Sequence, residues 1–134
     1  MKLLIRSVVV LLGLAGSAVA GNVDPANWPA VLQAAKGQTV YWHAWGGEPR
    51  INSYIARVGA VLKNKYDVTL VQVKVTDTAN VVAQVLAEKA AGKTSEGSVD
   101  LVWINGENFA AMKRQGLLAI PGWAELLPNW RFVD

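Results

Sequence analysis

Apolar positions fall into two alternating rhythms along this chain. Trp28, Val31, Leu32 and Ala35 recur at helical spacing behind Asn27, a residue that caps helices well, and Gly37 closes the segment. Thr39 to Trp45 then reads as a strand, aromatic and apolar on both faces, as a central strand covered by helices on each side requires. Gly46-Gly47 breaks it, Glu48 stands at the start of the next helix, and Pro49 suits that helix's first turn. Ile51, Ile55, Val58 and Leu62 lie four, three and four residues apart, so they share one helix face. Lys63 and Lys65 sit where positive charge favours the helix dipole.

The pattern repeats. Val68 to Val75 is rich in β-branched residues and predicts a second strand. Asp77 or Thr78 caps a third helix whose buried stripe is Val81, Val82, Val85 and Leu86, with Gly92 as its stop and a polar loop over residues 93–98. Val99 to Ile104 predicts a third strand. Asn105-Gly106-Glu107 turns it into a short helix through Arg114, with Phe109 and Met112 facing inward, and Gly116 ends that helix. The remainder, with Pro121-Gly122 and Pro128-Asn129, reads as turns.

Strand and helix alternating three times, with short connections, predict an α/β fold with a parallel sheet and flanking helices. Right-handed crossovers set the strand order 2-1-3. The two glycine corners, Trp45 to Glu48 and Asn105 to Asn108, then lie at the C-terminal ends of neighbouring strands. Open α/β sheets bind ligands at that switch point, and free backbone N–H groups at a helix start favour anionic or polar groups.

The first twenty residues change the reading of charge and address. Lys2 and Arg6, the apolar run Ser7 to Gly16 and the small-x-small site Ala18-Val19-Ala20 make a secretory signal peptide, with cleavage expected after Ala20. The run is too short for a membrane span, and polar Gly21-Asn22 follows without a basic cluster. Removing Lys2 and Arg6 from thirteen basic residues leaves eleven against ten acidic ones, so residues 21–134 are close to neutral. With no Lys/Arg cluster, nucleic acid is not an expected partner. The chain has no cysteine, so stability after export must come from packing.

Candidate chemistry narrows quickly. Ala91-Gly92-Lys93-Thr94 has the end of a phosphate loop, but the pattern needs a glycine where Ala87 stands, and a helix precedes it where a strand should. It is better read as a helix C-terminus. His43, the only histidine, lacks the partners of a metal site and reads as a packed core histidine. No glycine-x-serine-x-glycine elbow is present. Glu48 and Glu107 could act as an acid–base pair, though carboxylates at helix starts also serve the dipole. Trp42 and Trp45 face opposite ways on their strand. Trp45, beside the glycines, is the cleft candidate, able to stack on a ring or hold a cation, while Trp42 and Trp103 read as core.

These features together resemble the periplasmic solute-binding proteins of ABC importers. Trp45-Gly46-Gly47-Glu48, Val99-Asp100-Leu101-Val102-Trp103, Asn105-Gly106-Glu107-Asn108-Phe109 and Lys113-Arg114-Gln115-Gly116-Leu117-Leu118 carry the resemblance. With Trp123-Ala124-Glu125-Leu126-Leu127-Pro128-Asn129-Trp130 they are most similar to the YnjB-like branch near the polyamine and thiamine binders. The resemblance implies a type II periplasmic-binding fold, of which residues 21–134 would be a partial N-terminal lobe, the first half of lobe one. It implies a monomeric, periplasmic, non-enzymatic protein. A small polar or charged solute would be captured between lobes and delivered to an ABC permease in the inner membrane, with no cofactor and no metal. The ligand residues would be Trp45, Gly46, Gly47, Glu48, Asn105, Gly106, Glu107 and Asn108. Family members are much longer, so the chain is expected to be a fragment whose third strand keeps an open edge. Two alternatives stay open: a non-functional remnant of such a protein, or a secreted α/β enzyme using Glu48, Glu107 and His43.

Overall fold

A computed structural model describes residues 23–93, 95–119 and 124–133. The signal-peptide segment, Thr94 of the phosphate-loop-like run and Trp123 lie outside the described residues. Four helices and three strands alternate: α1 (Trp28–Ala35), β1 (Thr39–Trp45), α2 (Pro49–Tyr66), β2 (Thr69–Val75), α3 (Thr78–Ala90), β3 (Leu101–Val102) and α4 (Gly106–Arg114). Two single 3₁₀ turns follow at Ala124–Leu126 and Trp130–Phe132. The sheet is parallel and ordered β2-β1-β3, as the connections predict.

The start of each helix is built by a residue whose type suits it. Asn27 caps α1, accepting from the Ala30 N–H, and Gly37 at φ 76° supplies the left-handed turn into β1. Glu48, Asp77 and Asn105 cap α2, α3 and α4 through their side-chain oxygens. The end of α2 is unusual: Asp67, not glycine, takes the left-handed position at φ 55°, and the Val68 N–H reaches back to the Leu62 carbonyl at 3.4 Å. Lys63 Nζ sits 2.5 Å from Asp67 Oδ1. Its hydrogen bond and its charge hold the Asp67 carboxyl below the usual aspartate range.

That lowered value fixes a sign. A carboxylate whose folded pKa is depressed adds stability that is present above the unfolded value, about 3.9. The contribution is lost as pH falls through the folded value. Asp67→Asn keeps the tolerance for left-handed backbone but removes the charge. The variant is expected to be close to the parent in stability at pH 7, because the pair is exposed and screened by solvent. The loss on acidification below about pH 4 should be shallower. Urea titrations at pH 7 and pH 3 would check this, and an unchanged acid slope would remove the pair from the account.

β1 is the middle strand and carries the centre of the core. Register places Tyr41, His43 and Trp45 on one face with Val71, Val73 and Val75, and Trp42 and Ala44 on the other with Gln72 and Lys74. α2 packs on β2 through the second face, where Gly59 lies over Leu70 and Asn52 bonds Gln72. The right-handed return from β2 past β1 to β3 puts α3 on the first face. Among the described residues, the buried ones are Ala44, Ile55, Val68, Val81, Val82 and Met112, with His43 at 3% exposure. The core-histidine reading therefore holds, although the His43 Nδ1 atom is buried without a hydrogen-bond partner.

Three expectations need correction. Val99 to Ile104 pairs as a strand only at Leu101 and Val102. At its start the reason is local: Asp100 Oδ2 accepts the Tyr41 N–H at 2.8 Å, so a side chain takes the place of a ladder carbonyl just before the strand. Leu86 is 42% exposed and outside the α3 core stripe, whose buried members are Val81 and Val82. Phe109 is 45% exposed while Met112 is buried, because α4 packs chiefly on α3 and has one neighbour to pack against.

Candidate functional site

The C-terminal edge of the sheet gathers the starts of α2, α3 and α4. At the first corner Gly46 is held from two sides. Its N–H donates to the Val75 carbonyl at 3.1 Å, and its carbonyl accepts from Asn52 Nδ2 at 2.9 Å. Gln72 Nε2 donates in turn to Asn52 Oδ1 at 2.8 Å. Glu48 Oε1 accepts the Arg50 N–H at 2.9 Å, so this carboxylate caps its own helix.

Both glycines here are crowded by neighbours, and neither has a left-handed backbone angle. A Cβ on Gly46 would stand 2.7 Å from the Cβ of Lys74. One on Gly47 would stand 2.3 Å from the Trp45 ring, which lies across that residue. Trp45, Gly46, Gly47, Lys74, Val75 and Thr76 enclose an open cavity of about 290 Å³. The lining is mostly carbon, with the Lys74 stem as floor and the half-exposed indole as one side.

The second corner lies on the neighbouring strand. The Trp103 N–H donates to the His43 carbonyl at 2.9 Å, and Thr78 Oγ1 donates to the Trp103 carbonyl at 3.4 Å. Asn105 Oδ1 accepts the Asn108 N–H at 3.0 Å, Gly106 opens α4, and Glu107 is exposed in its first turn. Thus the structure places Trp45, Gly46 and Gly47 together at one cavity. Glu48, Asn105, Gly106, Glu107 and Asn108 stand on the same sheet edge without lining it. Lys74, Val75 and Thr76 line it and were missed. Their signal was the register, which sets the end of β2 beside the end of β1.

Of the two tryptophans read as core, one departs from expectation. Trp42 and Trp103 stack with centroids 6.0 Å apart and planes 13° apart, but Trp103 is 48% exposed and is not a core residue. A larger cavity, about 390 Å³, lies at the other end of the sheet between α3 and the chain entering β3, and includes Val85, Glu88, Gly97 and Leu117. The Glu88 carboxyl accepts from both the hydroxyl and the N–H of Ser98, which hold it below the usual glutamate range. It is a structural tie from α3 to the loop before β3.

Among known proteins, this chain is similar to Protein YnjB of Escherichia coli (strain K12). The match runs over 108 residues at 47% identity and covers 81% of this chain and 28% of that protein. The chain thus spans little more than a quarter of the length of the curated relative it matches, and it is YnjB-like over that region. No family model and no solved structure matches it.

Proposed function

We propose that this chain is part of an extracytoplasmic solute-binding protein of an ABC importer, exported by residues 1–20, which presents a small polar or charged solute to a membrane permease. The observation that carries the reading is the cavity against Trp45, Gly46 and Gly47, at the edge of a parallel sheet where three helices begin. The residue resemblance to solute-binding proteins supports it from the sequence side. On this reading Trp45 stacks on the solute, the glycines let it approach the backbone, and Lys74, Val75 and Thr76 form the floor. Asn105 to Asn108 contribute from the next strand when an opposing wall closes.

The charge of the solute follows from the caps. A bare helix start attracts anions, but Glu48 and Asp77 bring carboxylates to two of the three starts. Against the single Lys74 cation in the cavity lining, those carboxylates at the adjoining helix starts favour a neutral polar or cationic solute. An acid–base role is not supported for Glu48, whose carboxylate is committed to its own helix start.

The test is a tryptophan-emission titration of this chain and of the E. coli relative with polyamines, thiamine-like cations and oxyanions. A saturable response to a cation, lost in Trp45→Ala, is the expected result. Silence across the panel in both proteins would remove the solute-binding reading, and a response to oxyanions alone would reverse the charge assignment.

A further inference from the structure

α2 carries charge of one sign. Its eighteen residues hold Arg50, Arg57, Lys63 and Lys65 and no acidic side chain. The chain after residue 20 is otherwise balanced, with eleven basic and ten acidic groups in all, so the charges are segregated onto this helix. Lys63 is paired with Asp67, whereas Arg50, Arg57 and Lys65 have no ion pair among the described residues. Glu48 accepts the backbone N–H of Arg50, as a cap does. Helical geometry gathers the three remaining cations on one stripe. Arg50, Tyr54, Arg57, Val61 and Lys65 follow at spacings of four, three, four and four, turned away from the buried Ile55. All five are exposed, Tyr54 by 50% and Val61 by 45%. The stripe is about 22 Å long, with a cation every ~10–12 Å and one large aromatic or aliphatic side chain between each two. At that separation the like charges are largely screened from one another, so the stripe stands open to water at little cost.

We propose that this stripe on α2 is a docking surface for an acidic helix of a partner protein, whose carboxylates recur about two turns apart with apolar side chains between them. Charge complementarity sets the sign, and spacing sets the form. Two helical turns advance about 10.5 Å, which matches the step from Arg50 to Arg57. Arginine forks meet carboxylates in bidentate pairs, and arginine and tyrosine are the side chains that most often carry the energy of protein interfaces. Other polyanions match less well. Duplex DNA presents a charge about every 1.7 Å, far denser than these cations. A lipid surface takes up the apolar face of a helix, and the apolar face of α2 is turned to β2 through Ile55. This inference does not depend on the solute reading.

The test uses the full chain and a labelled helical peptide with glutamates two turns apart and leucines between them. A second peptide has glutamine in place of each glutamate, and vesicles of phosphatidylglycerol serve as the lipid probe. Affinity is read by anisotropy of the label, and the site by amide NMR shifts of residues 50–65. The acidic peptide should bind at low salt and move those signals. The glutamine peptide should bind about tenfold more weakly or worse, and about 0.5 M salt should weaken the acidic one. Arg57→Glu should cost a similar factor, whereas Lys113→Glu, at an exposed cation of α4, should change nothing. The comparison of the two peptides uses the parent chain, so it decides the matter even if Arg57→Glu disturbs the fold. The proposal is overturned if neither peptide binds, if both bind alike, or if a folded Arg57→Glu variant binds the acidic peptide as the parent does. It is equally overturned if the vesicles alone move the α2 signals, since the surface would then belong to lipid.

Discussion

Ile55→Ala is expected to cost about 2–5 kcal/mol, the range for an isoleucine emptied from a closed core site. Ile55 is 2% exposed and is the one buried residue of α2. It anchors that helix on β2, and α2 has no comparable second anchor, since Ile51, Val58 and Leu62 are only half-buried. A domain of this size has about 5–15 kcal/mol in total, so a loss of this size is a large share of it. The variant should therefore lose much of its cooperative transition, shifting the urea midpoint sharply. Val61→Ala, on the outer side of the same helix, should stay within about 0.5 kcal/mol. A midpoint shift for Ile55→Ala no larger than that of Val61→Ala would mean that α2 is not held by this face.

The same helix shows what a sequence can carry. The four, three and four spacing of Ile51, Ile55, Val58 and Leu62 marks a shared face because helical geometry alone decides it. The caps at Asn27 and Asp77 were legible because orphan N–H groups need side-chain acceptors in fixed places. Strand order followed from connection length and handedness. Burial is different, since it depends on what stands opposite. Leu86 and Phe109 lie on faces with the right period, yet the elements that would cover them are short or absent among the described residues. Trp103 was read as core for the same reason. The late start of β3 turns on one hydrogen bond, from the Tyr41 N–H to Asp100, that no propensity encodes.

The candidate site divides along the same line. Trp45-Gly46-Gly47 could be found locally, because two glycines directly after an apolar strand mark a corner where backbone and neighbours come close. Lys74, Val75 and Thr76 could not be found that way. They reach the cavity only through pairing of β2 with β1 in register, a long-range fact. Glu48 was visible as a carboxylate at a helix start, but its role as a cap emerges only from the bond to Arg50. The sequence locates corners; the pairing decides which side chains share a cavity.

Gly46→Ala is the second large effect and the sharper test of the corner. Its new methyl would meet Lys74 at Cβ, Cγ and Cδ, at 2.7, 3.0 and 3.1 Å. The Cγ and Cδ contacts can yield by rotation, but the Cβ is fixed by the strand backbone. Relief must then come from moving the corner, which strains the bonds of Gly46 to Val75 and Asn52. Overpacking of this kind costs about 1–3 kcal/mol. The cavity floor would shift with it, so any solute response should weaken together with stability. Gly47→Ala separates the two effects. Its methyl would collide with the outer part of the Trp45 ring, a half-exposed side chain that can swing aside. Stability should change by less than about 1 kcal/mol, while the emission assigned to Trp45 by difference from Trp45→Phe should move clearly. Lys74→Ala keeps the Cβ and should rescue Gly46→Ala only in part. Complete rescue would show that the flexible stem alone excludes a side chain at position 46, and the corner would then be softer than its hydrogen bonds imply.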